Sequence, residues 1–241
     1  MFEDPAEQFY AHIYLKHIID GIQLIHPNRR LSILDLGCGH GRLAIPLAAI
    51  GHNVTGLDTI EVALGRARKH AAKQGVLIEF RLGDFWLEKL GRFDVVLAVE
   101  SLNGTLEELE RFLSFGCKHL EKGGLMIFAI RTRYYQTTLR IKAGDYTGAL
   151  AANVATGKTK WLESEELRAI LVSQGYEVHR IVGVGVVSGL EFDPFGVIAN
   201  PAHLSINERL VLEQIELDLG TLNEVAGCAR YLLVVAKLVR G

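Results

Sequence analysis

The chain has 241 residues, 49% of them hydrophobic and 22% charged, with only five prolines, so it can bury a sizeable core and has no disordered-linker composition. A formal net charge of −2 argues against a broad basic face for nucleic acid. The acidic start Met1-Phe2-Glu3-Asp4-Pro5 is not a signal peptide, and no run approaches the roughly 18 apolar residues of a bilayer span.

From Pro5 to Ile25 the apolar residues recur at helical spacing, and the predicted helix stops near His26-Pro27-Asn28. Leu31–Leu36 is a predicted buried strand that runs into a glycine cluster, followed by a helix over Leu43–Ile50 that Gly51 ends. The alternation then repeats: strand Asn53–Leu57, helix Ile60–Gln74 closed by Gly75, strand Leu77–Leu82, loop Gly83-Asp84, strand Phe93–Val99. Thr105 with Glu108 forms a capping box for a helix to about Leu120, Glu121–Gly124 reads as a turn, and Leu125–Ile130 as a strand. Residues 131–160 are mixed. Beyond them, Ser164 caps a helix to Gln174, Glu177–Val187 is a strand, and Ser188–Pro201 a loop. Ser205 with Glu208 opens a helix to about Leu219, and Tyr231–Val239 is a last strand, expected in an antiparallel hairpin at the sheet edge.

Strands that alternate with helices imply right-handed βαβ crossovers and a mainly parallel sheet. Ligands then sit outside the carboxyl ends of the strands, at the point where strand order reverses. The loops after Leu36, Leu57, Leu82 and Val99 are therefore the expected site. Cys38, Cys117 and Cys228 lie far apart with no CxxC or Cys/His ligand spacing, so neither a disulfide framework nor a zinc site is expected, and a reduced, cytoplasmic protein is.

The most informative segment is Ile33-Leu34-Asp35-Leu36-Gly37-Cys38-Gly39-His40-Gly41-Arg42: strand, glycine turn, helix. Glycines let a ligand approach the backbone, and the helix start that follows favours an anion. A dinucleotide fingerprint would need glycine at position 42, where Arg42 stands; the pattern here is G-x-G-x-G. A glycine turn without ligand is the plainer alternative. Asp58, closing the next strand, can accept hydrogen bonds from ribose hydroxyls or, with Thr59, cap a helix. Asp84 in Leu82-Gly83-Asp84-Phe85 fits an Asx turn equally well.

Asp35 with G-x-G-x-G resembles motif I of the Rossmann-like (class I) S-adenosylmethionine-dependent methyltransferases, and Leu31 to about Ile130 is similar to that family throughout. The resemblance implies an α/β three-layer sandwich with a seven-stranded, mainly parallel sheet, its last strand antiparallel. An N-terminal helix and helical insertions at about 131–160 and 188–227 complete one domain over 1–241. It implies S-adenosylmethionine as cofactor, leaving as S-adenosylhomocysteine, against Asp35, Gly37, Cys38, Gly39 and Gly41. Asp58 and Thr59 would serve the ribose, Asp84 and Phe85 the adenine, with Val99 and Glu100 beneath; Phe85 equally suits a core position. Residues from Ile130-Arg131-Thr132-Arg133 to Lys160-Trp161 are similar to the ubiquinone-biosynthesis O-methyltransferase branch. That branch has an E-x-x-E-H metal pattern, of which Glu100, Asn103 and Gly104 keep only the first glutamate, so no metal is expected and the quinol substrate is not carried over.

No catalytic residue follows from the pattern. Glu100 could be a base, an anchor or a cap; Tyr10 and Tyr14 could touch the methionine carboxylate; His12, His17 and His203 suit ordinary positions better. Arg131, Arg133, Tyr134 and Tyr135 could form a lid for an anionic acceptor or a solvated basic loop. The segment 188–227 could be a helical cap or a homodimer surface. The expected reaction is methyl transfer to a small molecule at oxygen, with no nucleic-acid partner. The alternatives are a protein or RNA methylase and a cofactor-binding protein without turnover.

Overall fold

The computed structural model describes residues 4–102, 104–154, 157 and 160–239. Asn103 and the first three residues, which carried readings from the sequence, lie outside them. Helix α1 spans Pro5–Ile25, opened by Asp4, whose carboxylate accepts from the Ala6 amide at 2.8 Å. Strand β1 (Ser32–Leu36) is followed by α2 (Ala44–Ala49), β2 (Asn53–Asp58), α3 (Glu61–Gln74), β3 (Glu79–Leu82), β4 (Phe93–Ala98) and α4 (Leu106–His119). Thr105 caps α4 by accepting from the Glu108 amide, as the sequence pattern predicts.

The strands form one sheet in the order β3-β2-β1-β4-β5-β7-β6, where β5 is Leu120–Arg131, β6 Tyr176–Val184 and β7 Tyr231–Leu238. Neighbours from β3 to β5 are parallel, and β7 runs antiparallel to both β5 and β6. Strand order reverses between β1 and β4, the position beyond whose carboxyl ends such sheets bind their ligands. Alternate residues of one strand enter different cores. Ile33, Val95, Leu97 and Ile127 pack under α1 and α2, while Leu34, Val96, Met126 and Phe128 pack under α4 and α7 (Ser164–Ser173). Burial on both faces explains why these strands read as unbroken apolar runs.

Several expectations change. The Glu121–Gly124 turn is an irregularity inside β5: Phe93 pairs with Leu120 and Val95 with Leu125, so the extra residues are accommodated without leaving the sheet. Residues 131–160 include helices α5 (Arg133–Lys142) and α6 (Tyr146–Val154). The cap of α7 is Glu163, in a capping box with Glu166, and Ser164 is already helical. The stretch 188–201 carries short 3₁₀ turns at Pro194–Val197 and Pro201–His203, followed by α8 (Ile206–Gly220) and α9 (Asn223–Ala226). The last strand is antiparallel and pairs with β6 at the sheet edge as expected, with β6 outermost and β7 between β5 and β6. Its all-apolar run Leu232–Ala236 requires cover on both faces, which an edge with few neighbours would not supply.

Candidate active site

The tips of β1 and β2 hold the glycine turn in place. The amides of Gly37 and Cys38 donate to Leu57 O at 2.8 and 3.1 Å. Gly39, at φ 54°, faces open space: a Cβ there would meet no atom within 4 Å. At Gly37 the backbone instead lies against the loop after β4, where a Cβ would come within 2.6 Å of Ser101 Cβ. Ser101 Oγ is buried at this same point without a hydrogen-bond partner among the described residues. An accessible glycine amide edge beside an unsatisfied buried hydroxyl suits a polar ligand at the turn. Cys38 turns away, with Sγ over Gly56 of β2, and burial pushes its thiol up. It contributes backbone and no reactive sulfur.

Asp58 ends β2 and ties the glycine turn to the start of α3. One carboxylate oxygen accepts from Gly39 N at 2.7 Å, the other from Ile60 N at 2.9 Å. Each oxygen retains a lone pair for a further donor. The neighbouring Thr59 is exposed. Asp35 lies behind the turn, buried. Burial pushes its carboxyl up to about 7, with Asp58 adding to the effect and Arg42 and the Ala44 amide opposing it. Asp84, at the end of β3, accepts from Trp86 N at 2.9 Å, which is the Asx turn. The β3 and β2 tips meet directly, Leu82 opposite Asp58. Phe85 packs on Trp86 and edge-on to Phe115 of α4, and so serves partly as core.

Glu100 follows β4 in the left-handed region, at φ 59°. That unusual backbone for a non-glycine residue aims its carboxylate across the strand reversal. There it accepts from Arg42 Nη2 at 2.6 Å and from the Tyr14 hydroxyl of α1 at 2.9 Å. The Arg42 guanidinium also lies 5.7 Å from the Tyr14 ring centre. Burial pushes Glu100 up, but Arg42 outweighs it, and the carboxyl is held below its ordinary value. Burial and Glu100 together push the Tyr14 phenol up. Val99 is buried beside them.

Next to this cluster, Arg230 pairs with Asp193 at 2.5 Å, and its guanidinium lies 4.7, 5.6 and 5.7 Å from the ring centres of Tyr10, Tyr231 and Tyr135. The sequence reading passed over Arg230; its one signal is a lone cation at the head of an apolar strand. His12 and His203 are exposed and stand on the surface. His17 is buried in α1 beside Arg180 of β6, and burial pushes it down to about 4. Neither Arg133, paired with Glu163, nor the half-exposed Tyr134, stacked on Phe195, joins the Glu100 cluster. Among the described residues no three His, Cys, Asp or Glu side chains are grouped as a metal site, and no helix is long and apolar enough to cross a membrane.

Residues 33–124 match the family model of a methyltransferase domain. A ubiquinone biosynthesis O-methyltransferase of Caulobacter sp. (strain K31) is 35% identical over 182 residues, which are 73% of this chain and 66% of that protein. The chain thus spans slightly under two thirds of that relative. The same-named protein of Rickettsia akari is 30% identical over 76% of this chain and 71% of its own length. The crystal structure of magnesium protoporphyrin IX methyltransferase from Synechocystis PCC 6803 with bound SAH superposes with a TM-score of 0.60, at 18% identity, over 96% of this chain and 83% of that one. Together with the strand order and the glycine turn, this similarity places the chain in the class I, Rossmann-like S-adenosylmethionine-dependent methyltransferases.

Proposed function

We propose that this chain transfers a methyl group from S-adenosylmethionine to a small-molecule acceptor at oxygen. The observation that carries the reading is the open face of Gly39, flanked on one side by Asp58 and on the other by the Arg42–Glu100–Tyr14 cluster. The two flanks match the two ends of an adenosyl amino acid. Asp58 offers its remaining lone pairs to ribose hydroxyls, with Thr59 alongside, and Asp84 with Phe85 borders the adenine end. At the other end Glu100 suits the α-ammonium and Arg42 the carboxylate, a zwitterion met by a preformed ion pair. Val99 and the glycine turn form the floor, and Asp35 braces the turn from behind.

When bound, the sulfonium supplies a methyl group already activated by its positive charge. The protein's task is then alignment and exclusion of water. Helix α1 serves the second, because Tyr14 on Glu100 closes it over the site. Glu100, held ionised by Arg42 and already accepting two hydrogen bonds, is a poor general base, and the raised Tyr14 phenol is a proton donor. The charge on an acceptor oxygen is therefore supplied by the acceptor's own ionisation. Oxygen as the atom methylated draws support from the O-methyltransferase relatives.

Calorimetry with S-adenosylhomocysteine tests the cofactor assignment. Asp58→Ala should weaken binding by roughly 1–3 kcal/mol, the loss of hydrogen bonds to the ribose. Gly39→Val, which fills the open face and strains the positive-φ backbone, should abolish binding. Unchanged affinity in either variant contradicts the assignment. Labelled methyl transfer into a metabolite extract, followed by identification of the methylated atom, tests the rest.

A further inference from the structure

The guanidinium groups at the carboxyl ends of the strands differ in one respect. Arg42 pairs with Glu100, Arg133 with Glu163 and Arg230 with Asp193. Arg131, the last residue of β5, has no carboxylate within 4.0 Å among the described residues. Its one side-chain hydrogen bond there runs from Nε to the Tyr231 hydroxyl, at 3.4 Å. The antiparallel register sets Arg131 opposite Tyr231, so the donor and its phenol are fixed by the sheet itself. With Nε engaged, the edge formed by Nη1 and Nη2 has no partner among the described residues. That edge presents two parallel N–H groups, the fork that matches a carboxylate or phosphate.

Arg131 also stands where an acceptor must come. A Cβ on Gly104 would lie 3.1 Å from Arg131 N and 3.3 Å from Arg131 O, so the loop that carries Glu100 runs against the end of β5. The glycine turn serves β1 and β2, on the other side of the strand reversal. The Arg42–Glu100 pair lies between the two. Glu100 is in contact with Arg42 and reaches Arg131 only through its field. A half-buried cation whose carboxylate neighbour, Glu100, acts only from beyond contact recovers part of its lost hydration from the protein, and a bound anion would supply the rest.

We propose that the methyl acceptor carries an anionic group, a carboxylate or a phosphate, and that the Nη edge of Arg131 takes it while Tyr231 fixes the guanidinium. This rests on the methyltransferase reading of the same site and names the substrate class for it. Arg131 is a specificity residue here and is assigned no contact with the cofactor.

Calorimetry on the full chain saturated with S-adenosylhomocysteine, titrated with benzoate, phenyl phosphate and the neutral benzamide, tests it. The expected result is a dissociation constant at least tenfold lower for benzoate or phenyl phosphate than for benzamide. Whichever anion wins identifies the class. Arg131→Gln should lose that preference while binding S-adenosylhomocysteine as the parent does, and Arg131→Lys should retain part of it. Equal binding of the three probes by the parent, or an undiminished preference in Arg131→Gln, overturns the inference and leaves the cofactor assignment standing. Failure of the parent to bind S-adenosylhomocysteine at all overturns the methyltransferase reading, and this inference with it.

Discussion

Two acids of the site, Asp35 and Glu100, are driven in opposite directions by what surrounds them. Burial dominates at Asp35 and pushes it from 3.8 to about 7. At Glu100 burial is opposed by a guanidinium in contact, and the carboxyl stays low. Asp35 therefore has a measurable consequence for stability. Between about pH 4 and pH 7 the folded protein keeps a proton that the unfolded chain releases, so the contribution of Asp35 to stability falls as pH rises through that window. Asp35→Asn retains an acceptor for the Ala44 amide and removes the titration. The variant should match the parent near pH 4 and exceed it at pH 8 by on the order of 1–4 kcal/mol in urea unfolding. Equal stability at pH 8 would show that Asp35 is ionised there at no cost.

At the scale of elements, α8 is fastened to the turn after β6 by one side chain. Glu216 is fully buried and accepts from Val186 N at 2.8 Å, Val187 N at 3.0 Å and Ser188 Oγ at 2.6 Å. Glu216→Gln turns one acceptor oxygen into a donor facing those donors, and should cost on the order of 2–4 kcal/mol. Amide exchange of Val186 and Val187 would speed up with it; unchanged protection would assign the anchoring to packing alone. Elements with local punctuation were legible without the structure. Thr105 with Glu108, Ser205 with Glu208 and the left-handed Gly75 mark helix ends through contacts three residues apart or fewer. Helix α5 was not legible, because in Arg133–Lys142 only Tyr135 and Gln136 are buried, too few for an apolar stripe. The start of β5 was masked by Lys122-Gly123-Gly124, turn residues that sit here inside a strand irregularity. In the site the glycine turn and the strand-end acids were legible because their signal is local. The partnerships of Arg42 with Glu100 and Arg230 with Asp193 join distant segments and needed the fold.

At the scale of the molecule, Arg230 gathers three parts of the chain. It contacts Tyr10 of α1 and Tyr135 of α5, heads β7, and holds Asp193 of the 3₁₀ segment. Both ends of the ion pair are buried. Arg230→Met leaves Asp193 charged and alone in the interior and should cost about 3–5 kcal/mol. Adding Asp193→Asn should recover part of the loss in urea unfolding. A double variant no better than the single one would locate the cost in the tyrosine contacts instead. The position of β7 has one more consequence, for biogenesis. A ribosome delivers β6 well before β7, yet among the described residues β6 has its only sheet neighbour in β7. Newly made β6 must wait with its amides unpaired until Tyr231–Leu238 emerges and slides in beside β5. That side of the sheet is thus zipped shut from its middle strand outward.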